Sequence, residues 1–192
     1  MFKIFTLNST NKIERMPVFA RTKLLIHDYC LQPKVPFIIL KYSGPNPQNV
    51  YPKVKELLIS VWKLEPGDVQ ERVFNWDRSG DVEKFKISIE AVKDLDAYSF
   101  YYLKLSIKGE AKLSKEFGKE GKVTIEFEPA LRTEYPQDTL WQRSLLYELF
   151  RTFYHKVIYR STRLKYIQEC RELSMRFQEE IKSFLNLLPK SY

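Results

Sequence analysis

Apolar and polar residues alternate strictly in three stretches between residues 84 and 132, and this period of two is typical of a β-strand with one covered face. The positions expected to face inward are Phe85, Ile87, Ile89 and Ala91; then Tyr101, Leu103, Leu105 and Ile107; then Val123, Ile125, Phe127 and Leu131. Charged and hydroxyl side chains separate them. The pattern predicts an antiparallel sheet that is covered on one side only.

Two further strands and one helix complete the first part of the chain. Residues 37–42 predict a buried strand, and residues 69–76 predict a strand before the three alternating ones. Between them, residues 50–63 carry apolar side chains at helical spacing. Residues 109–121 are charged and contain three glycines, which predicts a long loop.

After Pro136 the apolar period becomes helical and stays so almost to the end. One apolar stripe comprises Trp141, Leu145, Leu149, Phe153 and Val157; a second comprises Ile167, Cys170, Phe177, Ile181, Phe184 and Leu188. We expect the first stripe to cover the sheet. Because a single helix of this length would far exceed the usual ~8–20 residues, we also expect a break near residues 159–162. The predicted fold class is α+β: an antiparallel sheet packed against a long C-terminal helix, with an extra helical tail.

This order of elements suggests three parts: an N-terminal extension or edge hairpin (1–35), a sheet-and-helix domain (36–160) and a C-terminal helical arm (161–192). The hairpin would use residues 2–7 and 18–26. The second stripe has near-heptad spacing, so the arm either folds back on the domain or pairs with a second copy in a homodimer.

Over residues 36–160, the order of strand, helix, four strands and long helix resembles the helix-grip arrangement of the START and Bet v1-like superfamily. The resemblance implies an apolar cavity between sheet and helix, and hence a non-enzymatic binding domain for an apolar or amphipathic small molecule, or for a protein partner. Residues expected to line the ligand cavity are Phe85, Ile87, Tyr101, Leu103, Trp141 and Leu145.

The formal net charge of +8 supports an alternative function. Residues 1–35 carry a net charge of +4 and residues 151–176 a net charge of +5. In the second region tyrosines alternate with cations, a mixture that suits single-stranded nucleic acid or an anionic lipid surface, although a solvated helix face has the same composition. The cations of the alternative nucleic-acid site are Arg151, Lys156, Arg160, Arg163 and Lys165.

The sequence contains no P-loop, Rossmann fingerprint or nucleophile elbow, so an enzyme remains a third possibility without a linear motif. Glu126 and Glu128 lie on the polar side of their strand, where we expect them to face lysines such as Lys104. We predict no catalytic residue and no cofactor.

His27 and Cys30 have the spacing of paired zinc ligands, but His155 and Cys170 lie 15 residues apart, so we predict no metal. The two cysteines form no disulfide framework and suit a reducing compartment, although a single bridge between them is possible. No apolar run is long enough to span a membrane, and the first residues lack a secretory pattern. These features predict a cytoplasmic location.

Overall fold

The computed structural model describes residues 22–31, 36–115 and 118–186. These residues form six strands and three α-helices, joined by turns and short helices. The strands are β1 (Thr22–Tyr29), β2 (Ile38–Pro45), β3 (Val69–Asp77), β4 (Val82–Asp94), β5 (Ser99–Ser114) and β6 (Gly118–Gln137). The helices are α1 (Val50–Ser60), α2 (Leu145–Phe153) and α3 (Arg160–Phe184), with a π-helical turn (Tyr154–Ile158) between α2 and α3.

All strand pairs of the six-stranded sheet are antiparallel, in the order β1-β6-β5-β4-β3. The 20-residue strand β6 is the organising strand. One of its edges pairs with β5, and its other edge pairs with β2 near the start and with β1 near the end. Lys104 lies opposite Glu128, as predicted, whereas Glu126 lies opposite Ser106 rather than a lysine.

The inward positions that the alternation predicts on β4, β5 and β6 are all buried. The predicted loop over residues 109–121 is wrong, however, because β5 continues to Ser114 and β6 already begins at Gly118, with these two residues paired. Charged residues on the open side of a long hairpin remain in water, so their composition does not distinguish strand from loop.

Helices α1 and α3 cover the inward face of the sheet. The Trp62 ring, just after α1, lies 5.7 Å from the Tyr101 ring and 5.9 Å from the Phe127 ring. On α3, the Phe177 ring lies 4.6 Å from that of Phe127, and Ile181 is buried beside it in the same core. This confirms the α+β class, in which the sheet packs against the long C-terminal helix.

The helix that covers the sheet is not the one that the sequence indicates. The stripe comprising Trp141, Leu145, Leu149, Phe153 and Val157 is exposed, and the second stripe, on α3, contributes Cys170, Phe177 and Ile181 to the core. The expected break between the two stripes is present, at the π-helical turn and Tyr159.

Strand β1 (Thr22–Tyr29) lies at the edge of the sheet and overlaps the strand predicted over residues 18–26, of which residues 18–21 fall outside the described residues. Residues 2–7 of the predicted hairpin fall outside the described residues. Cys30, directly after β1, forms a disulfide with Cys170 of α3, with Cα atoms 5.5 Å apart. The two cysteines are therefore not free thiols, and their number no longer argues for a reducing compartment.

Among the described residues, no helix is long and apolar enough to cross a membrane.

Candidate binding surface on helix α2

Helix α2 and the π-helical turn after it have their polar side toward the protein and their apolar side toward solvent. Arg151, His155 and Tyr159 recur every four residues and are all buried. Ser144 caps the start of the helix, because its hydroxyl accepts a hydrogen bond from the Tyr147 N–H. This orientation is the reverse of an ordinary surface helix, which buries its apolar stripe.

The outward side carries seven large apolar side chains whose exposed fractions lie between 57 and 77%. We call this surface the α2 apolar face; it comprises Leu145, Leu146, Leu149, Phe150, Phe153, Val157 and Ile158. Monomeric proteins rarely expose contiguous apolar patches of this kind unless the patch binds something.

Hydrogen bonds stabilise the inward side of this segment. Arg163 Nη1 lies 3.0 Å from His155 Nε2, and the Tyr135 hydroxyl lies 3.0 Å from His155 Nδ1. Because a guanidinium can only donate, Nε2 is the acceptor, so Nδ1 carries the proton and donates to the Tyr135 oxygen. Burial and the nearby Arg163 lower the pKa of His155, consistent with this neutral form. An ion pair between Arg163 and Asp28 of β1, 3.5 Å long, extends the network.

Tyr159 fixes the end of the segment. Its hydroxyl donates to Asp96 Oδ2 at 2.7 Å and lies 2.6 Å from the Ser99 hydroxyl, which in turn lies 3.0 Å from that of Thr133. Burial raises the pKa of Tyr159 well above its ordinary value, so the phenol stays protonated. Since these bonds need Tyr159 to point inward, they also orient the neighbouring Val157 and Ile158 outward.

A cleft of roughly 200 Å³ lies between the inward side of α2 and the ends of β5 and β6. It is lined by Tyr98, Tyr135, Tyr147, Phe150, Arg151 and Tyr154. Phe150 also lines a shallow apolar groove on the α2 apolar face, together with Leu146, Leu149 and Phe153. Phe150 is therefore shared by the cleft and the apolar face.

The structure does not bring the six predicted ligand-cavity residues together. Phe85, Ile87, Tyr101 and Leu103 lie in the closed core under α1 and α3, whereas Trp141 is 57% exposed and Leu145 is 77% exposed. Because α3 rather than α2 packs on the sheet, a cavity between the sheet and residues 141–145 does not form.

The five predicted nucleic-acid contacts also separate into two groups. Arg151 is buried in an ion pair with Glu148, and Arg163 is engaged with His155 and Asp28. Lys156, Arg160 and Lys165 are exposed. The interleaved tyrosines are buried or half-buried on the inward side, so they do not form a row of exposed rings for stacking on bases.

Cys30 and Cys170 are joined to each other, which leaves no thiolate in the set of four weighed as zinc ligands. Within the described ranges, no group of three or more histidine, cysteine or acidic side chains is arranged to hold a metal ion.

The sequence patterns did not indicate Leu146, Phe150 and Ile158 of the apolar face, or Tyr98 and Tyr135 of the cleft. One signal was available in the sequence. Two long apolar stripes follow a sheet that has only one apolar face, and helix α1 already covers part of that face. One of the stripes therefore had to remain outside.

Comparisons with known proteins do not identify a family. No protein-family model matches the chain, and no curated protein matches it. Among solved structures, a protein of unknown function from Staphylococcus aureus aligns with 82% of this chain and 98% of its own, at 11% identity and a TM-score of 0.20.

Proposed function

We propose that the protein is a non-enzymatic binding protein that places the α2 apolar face on an anionic lipid surface. The observation that carries this proposal is the reversed orientation of α2. The bonds of His155 and Tyr159, just after α2, hold the polar side of this segment inward and Arg151 is buried there, so the exposed leucines and phenylalanines are a built feature of the fold.

The size of the face is sufficient for reversible binding. Complete burial of a large apolar side chain contributes about 1.5–3 kcal/mol, so seven side chains that are more than half exposed contribute on the order of 10 kcal/mol. Association itself costs roughly 4–15 kcal/mol. The two quantities are comparable, which is typical of a peripheral protein that binds and leaves.

Charge favours a lipid surface over an apolar protein groove. Residues 138–165 contain six basic and two acidic side chains, a net charge of +4. Lys156, Arg160 and Lys165 are exposed and follow directly on the apolar face. A basic residue near an anionic membrane contributes about 1 kcal/mol, and a basic amphipathic helix lies in the interface plane with its apolar side inserted.

Sedimentation with lipid vesicles tests the proposal. We expect the full chain to pellet with vesicles that contain phosphatidylglycerol and to pellet less with pure phosphatidylcholine, because the cations add to the apolar term. The double substitution Leu149→Gln and Phe153→Gln removes two exposed apolar side chains, so binding should fall at least about tenfold.

Phe74→Gln is the matched control, because Phe74 is an exposed aromatic residue on β3, away from α2. Its vesicle binding should equal that of the unsubstituted protein. Equal binding by the α2 double variant would overturn the proposal. So would self-association that the double variant abolishes in the absence of lipid, since a second copy would then cover the face.

The nucleic-acid and homodimer predictions have less support in this arrangement. Only Lys156, Arg160 and Lys165 of the five predicted cations remain exposed, and they are better explained as the basic margin of the apolar face. The stripe expected to pair with a second copy places Cys170, Phe177 and Ile181 in the protein's own core.

A further inference from the structure

Arg151 has an unusual environment for an arginine in a surface helix. It is only 6% exposed, and its Nη2 donates to the Glu148 carboxylate, which is itself about half exposed. Its Nη1 is buried and has no hydrogen-bond partner among the described residues. A buried guanidinium nitrogen without a partner is costly, and because Arg151 also lines the cleft, an anion that enters there would offset this cost.

The surroundings of Arg151 select the chemistry of that group. The cleft is lined by four tyrosines and a phenylalanine, with the guanidinium carbon 6.0 Å from the centre of the Tyr135 ring. Guanidinium nitrogens in such low-dielectric surroundings bind carboxylate and phosphate oxygens strongly. Among the described residues, no acidic side chain lines the cleft, although Glu148 accepts a hydrogen bond from Arg151 Nη2.

The volume of the cleft limits what enters it. Sites for whole drug-sized ligands occupy about 300–1,000 Å³, whereas this cleft measures roughly 200 Å³. It therefore accommodates a head group rather than an entire amphiphile. The remainder of such a molecule would extend over Phe150, which lines both the cleft and the groove formed with Leu146, Leu149 and Phe153.

We infer that the cleft is a head-group site for an amphiphile with an anionic oxygen head, either phosphate or carboxylate. The head binds the Arg151 guanidinium, which lines the cleft among the tyrosine rings, and the chain lies along the α2 apolar face. The inference rests on the proposed function, because it names the lipid class that the same surface selects.

Calorimetric titration of the full chain with monomeric amphiphiles tests the inference without a bilayer. Octyl phosphate and octanoate, below their micellar concentrations, should both bind, and octyltrimethylammonium, with the same chain and the opposite charge, should not. Arg151→Gln should weaken binding of the two anions about tenfold, because it removes a charge-assisted hydrogen bond.

Glu148→Gln gives an independent test with the opposite sign. It releases Arg151 Nη2 and removes a neighbouring negative charge, so we expect anion affinity to rise severalfold. Its side chain is about half exposed, so the variant should fold even if Arg151→Gln does not. Arg176→Gln, which removes one exposed positive charge from α3, is the matched control and should bind as the unsubstituted protein does.

The outcomes separate this inference from the proposed function. Equal binding of the anionic and cationic amphiphiles, or anion affinity unchanged in both Arg151→Gln and Glu148→Gln, overturns the head-group site. If vesicle binding then still depends on Leu149 and Phe153, the proposed function stands. Arg151-dependent binding of octyl phosphate without any vesicle binding overturns the lipid surface as the source and leaves a free amphiphile as the ligand.

Discussion

Gly121 shows how one residue decides between loop and strand. It lies in β6 directly opposite Ala111 of β5. A Cβ at this position would overlap the Glu110 carbonyl oxygen and would lie 2.8 Å from the Ala111 Cα. Gly121, which contributes to the loop prediction, is therefore explained by the close approach of two strand backbones rather than by a turn. Such close approach is a common reason for glycine within a strand.

Gly121→Ala should destabilise the fold by about 1–3 kcal/mol, because the backbone of the β5–β6 hairpin must shift to admit a methyl group. Urea unfolding followed by circular dichroism measures this loss. Gly67→Ala is the control, since a Cβ at Gly67 meets nothing within 4 Å, and its stability should change little. Equal unfolding midpoints for the two variants would show that the close approach has no energetic consequence.

At the scale of elements, periodicity predicts a helix but not the direction in which its apolar side points. Local pattern predicts helix α1, the break near residue 159 and the strands β2 to β6, apart from the part of the β5–β6 hairpin within residues 109–121. The orientation of α2 depends instead on partners distant in sequence, namely Asp96, Ser99 and Tyr135, which bind its polar side. The Cys30–Cys170 bridge likewise has no local signal, because it needs β1 and α3 to meet.

The stability of the fold should depend on pH through His155. Because burial and Arg163 lower its pKa below 6.5, the folded protein binds fewer protons than the unfolded chain near and below this value. The free energy of unfolding should therefore decrease as the pH falls through 6.5 toward the lowered pKa, and this contribution should then level off. Unfolding midpoints measured between about pH 7.5 and 5.5 test this.

His155→Gln should flatten that pH dependence, since glutamine can accept from Arg163 without titrating. His27→Gln is the informative control, because burial and Arg132 lower the pKa of His27 as well. This control should remove only the contribution of His27 to the pH dependence of the free energy of unfolding, and should leave the contribution of His155. An unchanged slope in His155→Gln would contradict the assignment of a neutral, inward His155.

At the scale of the whole molecule, β6 and the disulfide hold the two ends of the described chain together. Strand β6 pairs with β1, β2 and β5, and the Cys30–Cys170 bridge joins the end of β1 to α3. Arg171 strengthens the same junction, because its Nε donates to the Cys30 carbonyl oxygen at 3.3 Å. The core residues of α3 belong to the same core as the sheet.

Reduction of the bridge should lower stability substantially, because it spans 140 positions in sequence. The loop-entropy argument gives about 4–5 kcal/mol for a loop longer than 100 residues. For a chain of this size that corresponds to a decrease in Tm of roughly 10 °C or more. Thermal melts with and without reductant measure it, and the double variant Cys30→Ser with Cys170→Ser should match the reduced protein. A Tm insensitive to reductant would contradict a stabilising bridge.

The bridge also makes the backbone between residues 30 and 170 a covalent ring. A single proteolytic nick anywhere within this ring opens it without releasing either piece. Nicked protein should therefore migrate as one band on a non-reducing denaturing gel and as two bands once a thiol is added.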